Sequence, residues 1–132
     1  MELLMFSKML KNVGSLTIEE AGEYIAKMGF DGVDLTVRPG GHISPREVLK
    51  ELPKAVENLN SKGLSVPMIT TNVTSADEKF AAEIFKTASE CGVRFIKLGY
   101  WRYGGFGTIK KQIEHVRDDD LDGLCKLSEE HN

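Results

Sequence analysis

Apolar residues recur at helical spacing in three stretches: Ala21, Ile25 and Met28; Val48, Leu52, Val56 and Leu59; Ala81, Phe85 and Ala88. Each spacing predicts a helix with one buried stripe. Between them lie short apolar runs with the β-branched and aromatic content of buried strands: Val33 to Val37, Ser65 to Thr70 and Phe95 to Leu98, preceded by Leu3 to Phe6. Each helical stretch ends in glycine, at Met28-Gly29-Phe30, Lys62-Gly63-Leu64 and Cys91-Gly92-Val93, and an apolar run follows within a few residues. Gly29 and Gly63 stand 34 residues apart and Gly63 and Gly92 29 apart, close to the roughly 30 residues of a strand-helix unit. The pattern predicts an α/β fold of about four parallel βα repeats with right-handed crossovers. Such repeats carry their chemistry on the loops after the carboxyl ends of the strands.

Three capping boxes, Thr17/Glu20, Ser44/Glu47 and Ser75/Glu78, predict the helix starts. Pro45 strengthens the second, because proline at the first helical position has the right φ and loses no needed donor. Pro53 lies inside that helix and predicts a kink or a displaced start. A fourth helix is expected from Thr108, with Ile109, Ile113 and Val116, resuming through Leu121, Leu124 and Leu127 after the acidic run Asp118-Asp119-Asp120. Four parallel strands leave two open edges, and an eight-stranded barrel needs about 200 residues or more. The expectation is therefore half a TIM (β/α)8 barrel, a fragment or truncated product; the alternative is a complete open α/β domain of four or five strands.

Length and composition narrow the functional classes. The 132 residues, 41% hydrophobic and 28% charged, fit one folded domain rather than a disordered chain. A net charge of −3 argues against a protein that neutralises nucleic-acid phosphates. No apolar run approaches the roughly 20 residues of a membrane span. Glu2, Lys8 and Lys11 are wrong for a signal peptide, so a cytoplasmic protein is expected. Cys91 and Cys125 show no metal or redox spacing and predict buried free thiols.

Candidate chemistry sits at the strand ends. Asp34 alternates with Val33, Leu35 and Val37 on the second strand, so it faces away from the apolar side with Thr36 and Arg38. A carboxylate there must be hydrogen-bonded, paired or protonated; Arg38 or Lys97 is the expected cation, whether the role is substrate contact or strand register. His42 follows Pro39-Gly40-Gly41 on the loop after that strand and is a candidate for binding a hydroxyl or gating access. Thr70, Thr71 and Asn72 end the third strand; Thr71 and Asn72 are the freer for a ligand, since Ser75 is expected to cap the next helix. Lys97 on the fourth strand needs a carboxylate or water for its ammonium. Tyr100, Trp101 and Tyr103 crowd the next loop and can either wall a pocket against sugar C–H surface or pack on the rim. Gly104-Gly105-Phe106-Gly107 matches no phosphate fingerprint and is expected to be a flexible loop. Asp118-Asp119-Asp120 is expected to be a solvated face, and no role is expected of His115 or His131.

The string from Ala26 to His42, Ala-Lys-Met-Gly-Phe-Asp-Gly-Val-Asp-Leu-Thr-Val-Arg-Pro-Gly-Gly-His, resembles the amino-terminal part of sugar phosphate isomerases/epimerases of the xylose isomerase-like TIM-barrel superfamily. The segment Ala55 to Leu64, the strand end Met68-Ile69-Thr70-Thr71-Asn72 and the turn Leu98-Gly99-Tyr100-Trp101-Arg102-Tyr103 agree with it. The resemblance covers nearly the whole chain but only the first half of that fold. It implies a divalent metal (manganese, magnesium, cobalt or zinc) in the full-length protein, held by Glu, Asp and His on later strands. It also implies two carboxylates that move the substrate proton through an enediolate. None of those positions falls here, so no catalytic or metal ligand is carried over, no metal is expected on this chain alone, and it should be inactive alone. The expected partner is a small sugar or sugar phosphate; neither nucleic acid nor membrane is expected, and a homo-oligomer is open. The alternatives are a non-catalytic half-barrel binding or scaffolding module, and a metal-dependent endonuclease of the same superfamily.

Overall fold

Alternation along the second strand sorts the molecule into two sides. In a computed structural model, which describes residues 1–131, Val33, Leu35 and Val37 are all but fully buried while Asp34 and Arg38 are half-buried. The strands are β1 (Leu4–Phe6), β2 (Gly32–Thr36), β3 (Ser65–Thr70) and β4 (Phe95–Lys97). They form one sheet in the order β1-β2-β3-β4, every pair parallel. The helices are α1 (Lys8–Gly14), α2 (Ile18–Lys27), α3 (Val48–Ser61), α4 (Ala81–Glu90), α5 (Ile109–His115) and α6 (Asp122–Glu130). The core joins Val33, Leu35 and Ile69 of the sheet to Ile25 of α2, Leu52 and Leu59 of α3, and Ile84 of α4. Burying these aliphatic side chains stabilises the fold by roughly 1.5–3 kcal/mol each.

The opposite face remains open. Phe6, Asp34, Met68 and Phe95 lie side by side across the four strands; Phe95 is 56% exposed, and Phe6, Asp34 and Met68 are half-buried. β1 and β4 are opposite edges, about 14 Å apart across three strand spacings. Yet Lys97 Nζ of β4 lies 5.8 Å from the centre of the Phe6 ring. Arg94 Nη2, just before β4, stands 3.4 Å from Glu2 Oε2, just before β1. Long side chains from the two edges thus reach each other over the open face.

Local structure departs from the expected caps in two of three cases. Thr17 and Glu20 form the reciprocal box, with Glu20 N–H donating to Thr17 Oγ1 at 3.3 Å and Thr17 N–H to Glu20 Oε2 at 2.9 Å. Ser44 makes no side-chain cap; Pro45–Glu47 is a 3-10 turn and α3 begins only at Val48, then runs through Pro53. Pro53 does not end the helix, and the 3-10 turn before it opens on Pro45. Around Ser75, Glu78 Oε1 accepts from Thr74 N–H, Thr74 Oγ1 and Ser75 N–H, which ties up a loop, and α4 starts later, at Ala81. α1 buries no residue and follows β1 where no apolar stripe announces it. α5 and α6 are continuous through a π-helical stretch at Val116–Leu121. Cys91 is half-buried and Cys125 exposed, so these free thiols are not the buried pair the composition suggests. Among the described residues, no helix is long and apolar enough to cross a membrane.

Candidate functional site

Four of the predicted residues converge at the carboxyl end of the open face. Asp34 accepts the Thr70 hydroxyl, 2.7 Å from Oδ1 and 2.9 Å from Oδ2. Two cations approach the Phe6 ring, with Arg38 Cζ 5.9 Å and Lys97 Nζ 5.8 Å from its centre. Lys97 Nζ is also 6.0 Å from the centre of the exposed Tyr100 ring. Burial pushes the Asp34 carboxyl above its usual range, against the opposing pull of the Thr70 hydroxyl and of the positive charges on Lys97 and Arg38. The cations rest on aromatic faces, a favourable placement for charge leaving bulk water. Two positive groups, one hydroxyl-accepting carboxyl and two ring faces therefore lie together on one face, a set of groups that suits a polyhydroxylated ligand bearing an anionic group.

Phe6 and Thr70 belong to this site without having been assigned to it from the sequence. Strand alternation places Thr70 on the Asp34 face, so its role was within reach of pattern reading. Phe6 and Lys97 sit on opposite edge strands and meet over the open face, and no local pattern encodes that.

The donors for a divalent metal do not fit. Among the described residues no three His, Cys, Asp or Glu side chains converge. Asp34, already bonded by Thr70, stands near two positive side chains that would repel a cation.

His42 lies on the same rim but is committed to the fold. Its Nε2 is 3.2 Å from the Leu16 carbonyl oxygen, and its Nδ1 is 3.2 Å from Ser7 Oγ and 3.3 Å from Thr36 Oγ1. A carbonyl can only accept, so Nε2 carries the proton and Nδ1 receives one from a hydroxyl. Ser7 and Thr36 are almost fully buried, and Ser7 Oγ also accepts Thr36 N–H at 3.0 Å. The ring thus latches the end of β1, the end of β2 and the loop before α2. Burial pulls its pKa down, the Lys11 charge adds to this, and the Leu16 carbonyl opposes it.

The remaining candidates are dispersed. Thr71 is buried, donates its hydroxyl to the Lys97 carbonyl at 3.0 Å and accepts Val73 N–H at 3.3 Å. Asn72 is exposed and lines a separate cleft of about 420 Å³ with Pro39, Arg46, Lys79 and Phe80. Trp101 and Tyr103 border an apolar cleft of about 350 Å³ against Ile109, Ile113 and Leu121. The Trp101 indole donates to Asp120 Oδ2 at 2.8 Å, so Asp120, whose side chain is 13% exposed, is not part of a solvated acidic face. Asp118 and Asp119 are exposed and paired with Arg117 and His115.

Compared with protein-family models, with curated proteins and with solved structures, the chain matches none.

Proposed function

We propose that this chain is the substrate-holding wall of a metal-dependent sugar or sugar-phosphate isomerase/epimerase, forming the first half of a closed parallel βα barrel and working in the cytoplasm. The convergence of Asp34, Arg38, Lys97 and Tyr100 at the carboxyl end of the open face carries the reading. Arg38 and Lys97 hold the phosphate, Asp34 accepts a sugar hydroxyl, and the rings of Phe6 and Tyr100 cover C–H surface and exclude water. In this reaction class a divalent metal polarises adjacent carbonyl and hydroxyl oxygens. Its ligands, and the carboxylates that transfer the proton, lie outside these residues.

Isothermal titration of the 132-residue chain with fructose 6-phosphate and with fructose tests the assignment. The phosphorylated ligand is expected to bind more tightly. Lys97→Met and Arg38→Met should each weaken it by about tenfold, the scale of one charge-assisted contact. Equal binding of the two sugars, or variants that bind as the parent does, would overturn it. Added manganese should yield no turnover by this chain alone.

A further inference from the structure

The loop after β2 and the loop after β3 border a cleft of about 420 Å³, a volume within the range of small-molecule sites. Both loops are internal to the chain, each held between a strand and the helix that follows it, and ligands of parallel βα folds bind at such strand ends. We propose that this cleft binds a nucleoside monophosphate. The inference stands on the cleft alone and makes no use of the open face.

Two residues of the second loop shape the cleft. Glu78 Oε1 accepts Thr74 N–H at 2.7 Å, Thr74 Oγ1 at 2.7 Å and Ser75 N–H at 3.1 Å, so that oxygen is spent on holding the loop. Phe80, at the junction with α4, has a φ of 74°, a conformation that bulky side chains rarely adopt. It is half-buried against the core and lines the cleft, as do Pro39 and Pro45 of the other loop. These apolar surfaces suit the faces of a base.

Four exposed polar side chains line the same cleft, Arg46 and Glu47 from the first loop and Asn72 and Lys79 from the second. The Lys79 ammonium rests 5.0 Å from the centre of the Phe80 ring. Among the described residues neither Arg46 nor Lys79 has an ion-pair partner, so both are free to meet a phosphate, which a guanidinium can bind in bidentate fashion. The Glu47 carboxylate can accept from the two hydroxyls of a ribose, and the Asn72 amide offers a base edge both a donor and an acceptor. Cations, carboxylate, amide and ring each have a counterpart on one ligand. Inorganic phosphate would leave the ring and the amide unused, and a nucleoside would leave the cations unused.

Amide NMR titration of the intact chain with AMP, ribose 5-phosphate and adenosine tests the proposal. It reads the cleft at Asn72, Lys79 and Phe80 and the open face at Lys97 and Tyr100, so the two places are followed separately. At the cleft, AMP is expected to bind about tenfold more tightly than either of the others, since each of them lacks one recognised part. Lys79→Met and Arg46→Met, at exposed positions, should each weaken AMP by about tenfold and leave the urea midpoint of unfolding unchanged. Phe80→Leu keeps an apolar side chain without the flat ring. It should weaken AMP and leave ribose 5-phosphate at the cleft as it was, a selectivity that loss of structure would not produce. AMP shifts confined to Lys97 and Tyr100 would overturn the proposal while leaving the sugar-phosphate reading of the open face standing. A dissociation constant at the cleft weaker than about 1 mM, equal binding of the three ligands there, or variants that bind as the parent does would overturn it as well.

Discussion

Desolvation acts on two half-buried groups in opposite senses, raising the Asp34 carboxyl and lowering the His42 imidazole. For His42 the folded pKa lies below the ordinary 6.5. The stability it contributes is complete above that value and is lost as pH falls through it toward the folded pKa. Urea unfolding should show the protein weakening from pH 7.5 to 5.5, and His42→Gln should flatten part of that slope. An unchanged slope would mean that the ring titrates as freely folded as unfolded. For Asp34 the folded pKa is raised above 3.8, so the protonated form favours folding and stability declines as pH rises through that window. Thr70→Val removes the carboxylate's hydroxyl donor and should cost about 1–3 kcal/mol at neutral pH in the same assay. Asp34 was legible in the sequence because alternation alone turns it away from Val33 and Leu35. The partners of His42 were not, since Ser7 and Leu16 reach it through loop geometry.

At the level of elements, the apolar stripes located α2, α3 and α4 and the glycines marked their ends, because burial and left-handed termini are local requirements. Gly29, Gly63 and Gly92 all adopt positive φ, between 73° and 81°. Helix starts were less legible. A Ser or Thr with a carboxylate three residues on is compatible with more than one arrangement. Pro45 draws Ser44–Glu47 into a 3-10 turn in which Glu47 N–H donates to the Ser44 carbonyl at 2.9 Å. Glu78 gives its oxygen to the Thr74 and Ser75 backbone instead of a helix. The contrast is measurable. Thr17→Ala should lose about 1 kcal/mol of stability, the usual value of an N-cap, while Ser44→Ala should lose almost none in thermal or urea unfolding.

For the whole molecule, the repeat of strand, helix and glycine made a parallel sheet in sequential order the simplest topology, and the four strands follow it. The meeting of side chains from opposite edges was beyond reach of pattern reading, because it depends on the whole sheet and not on any one segment. It places Lys97 of β4 over Phe6 of β1 and gives Asp34 of β2 two cations from different strand ends. The most direct measurement is the carboxyl 13C titration of Asp34 by NMR in the parent chain and in Lys97→Met and Arg38→Met. Both cations hold the carboxyl down against burial, so its pKa should rise further in each variant, and more in Lys97→Met. A carboxyl that titrates identically in all three proteins would contradict the account, since Asp34 would then not feel the charges of Arg38 and Lys97.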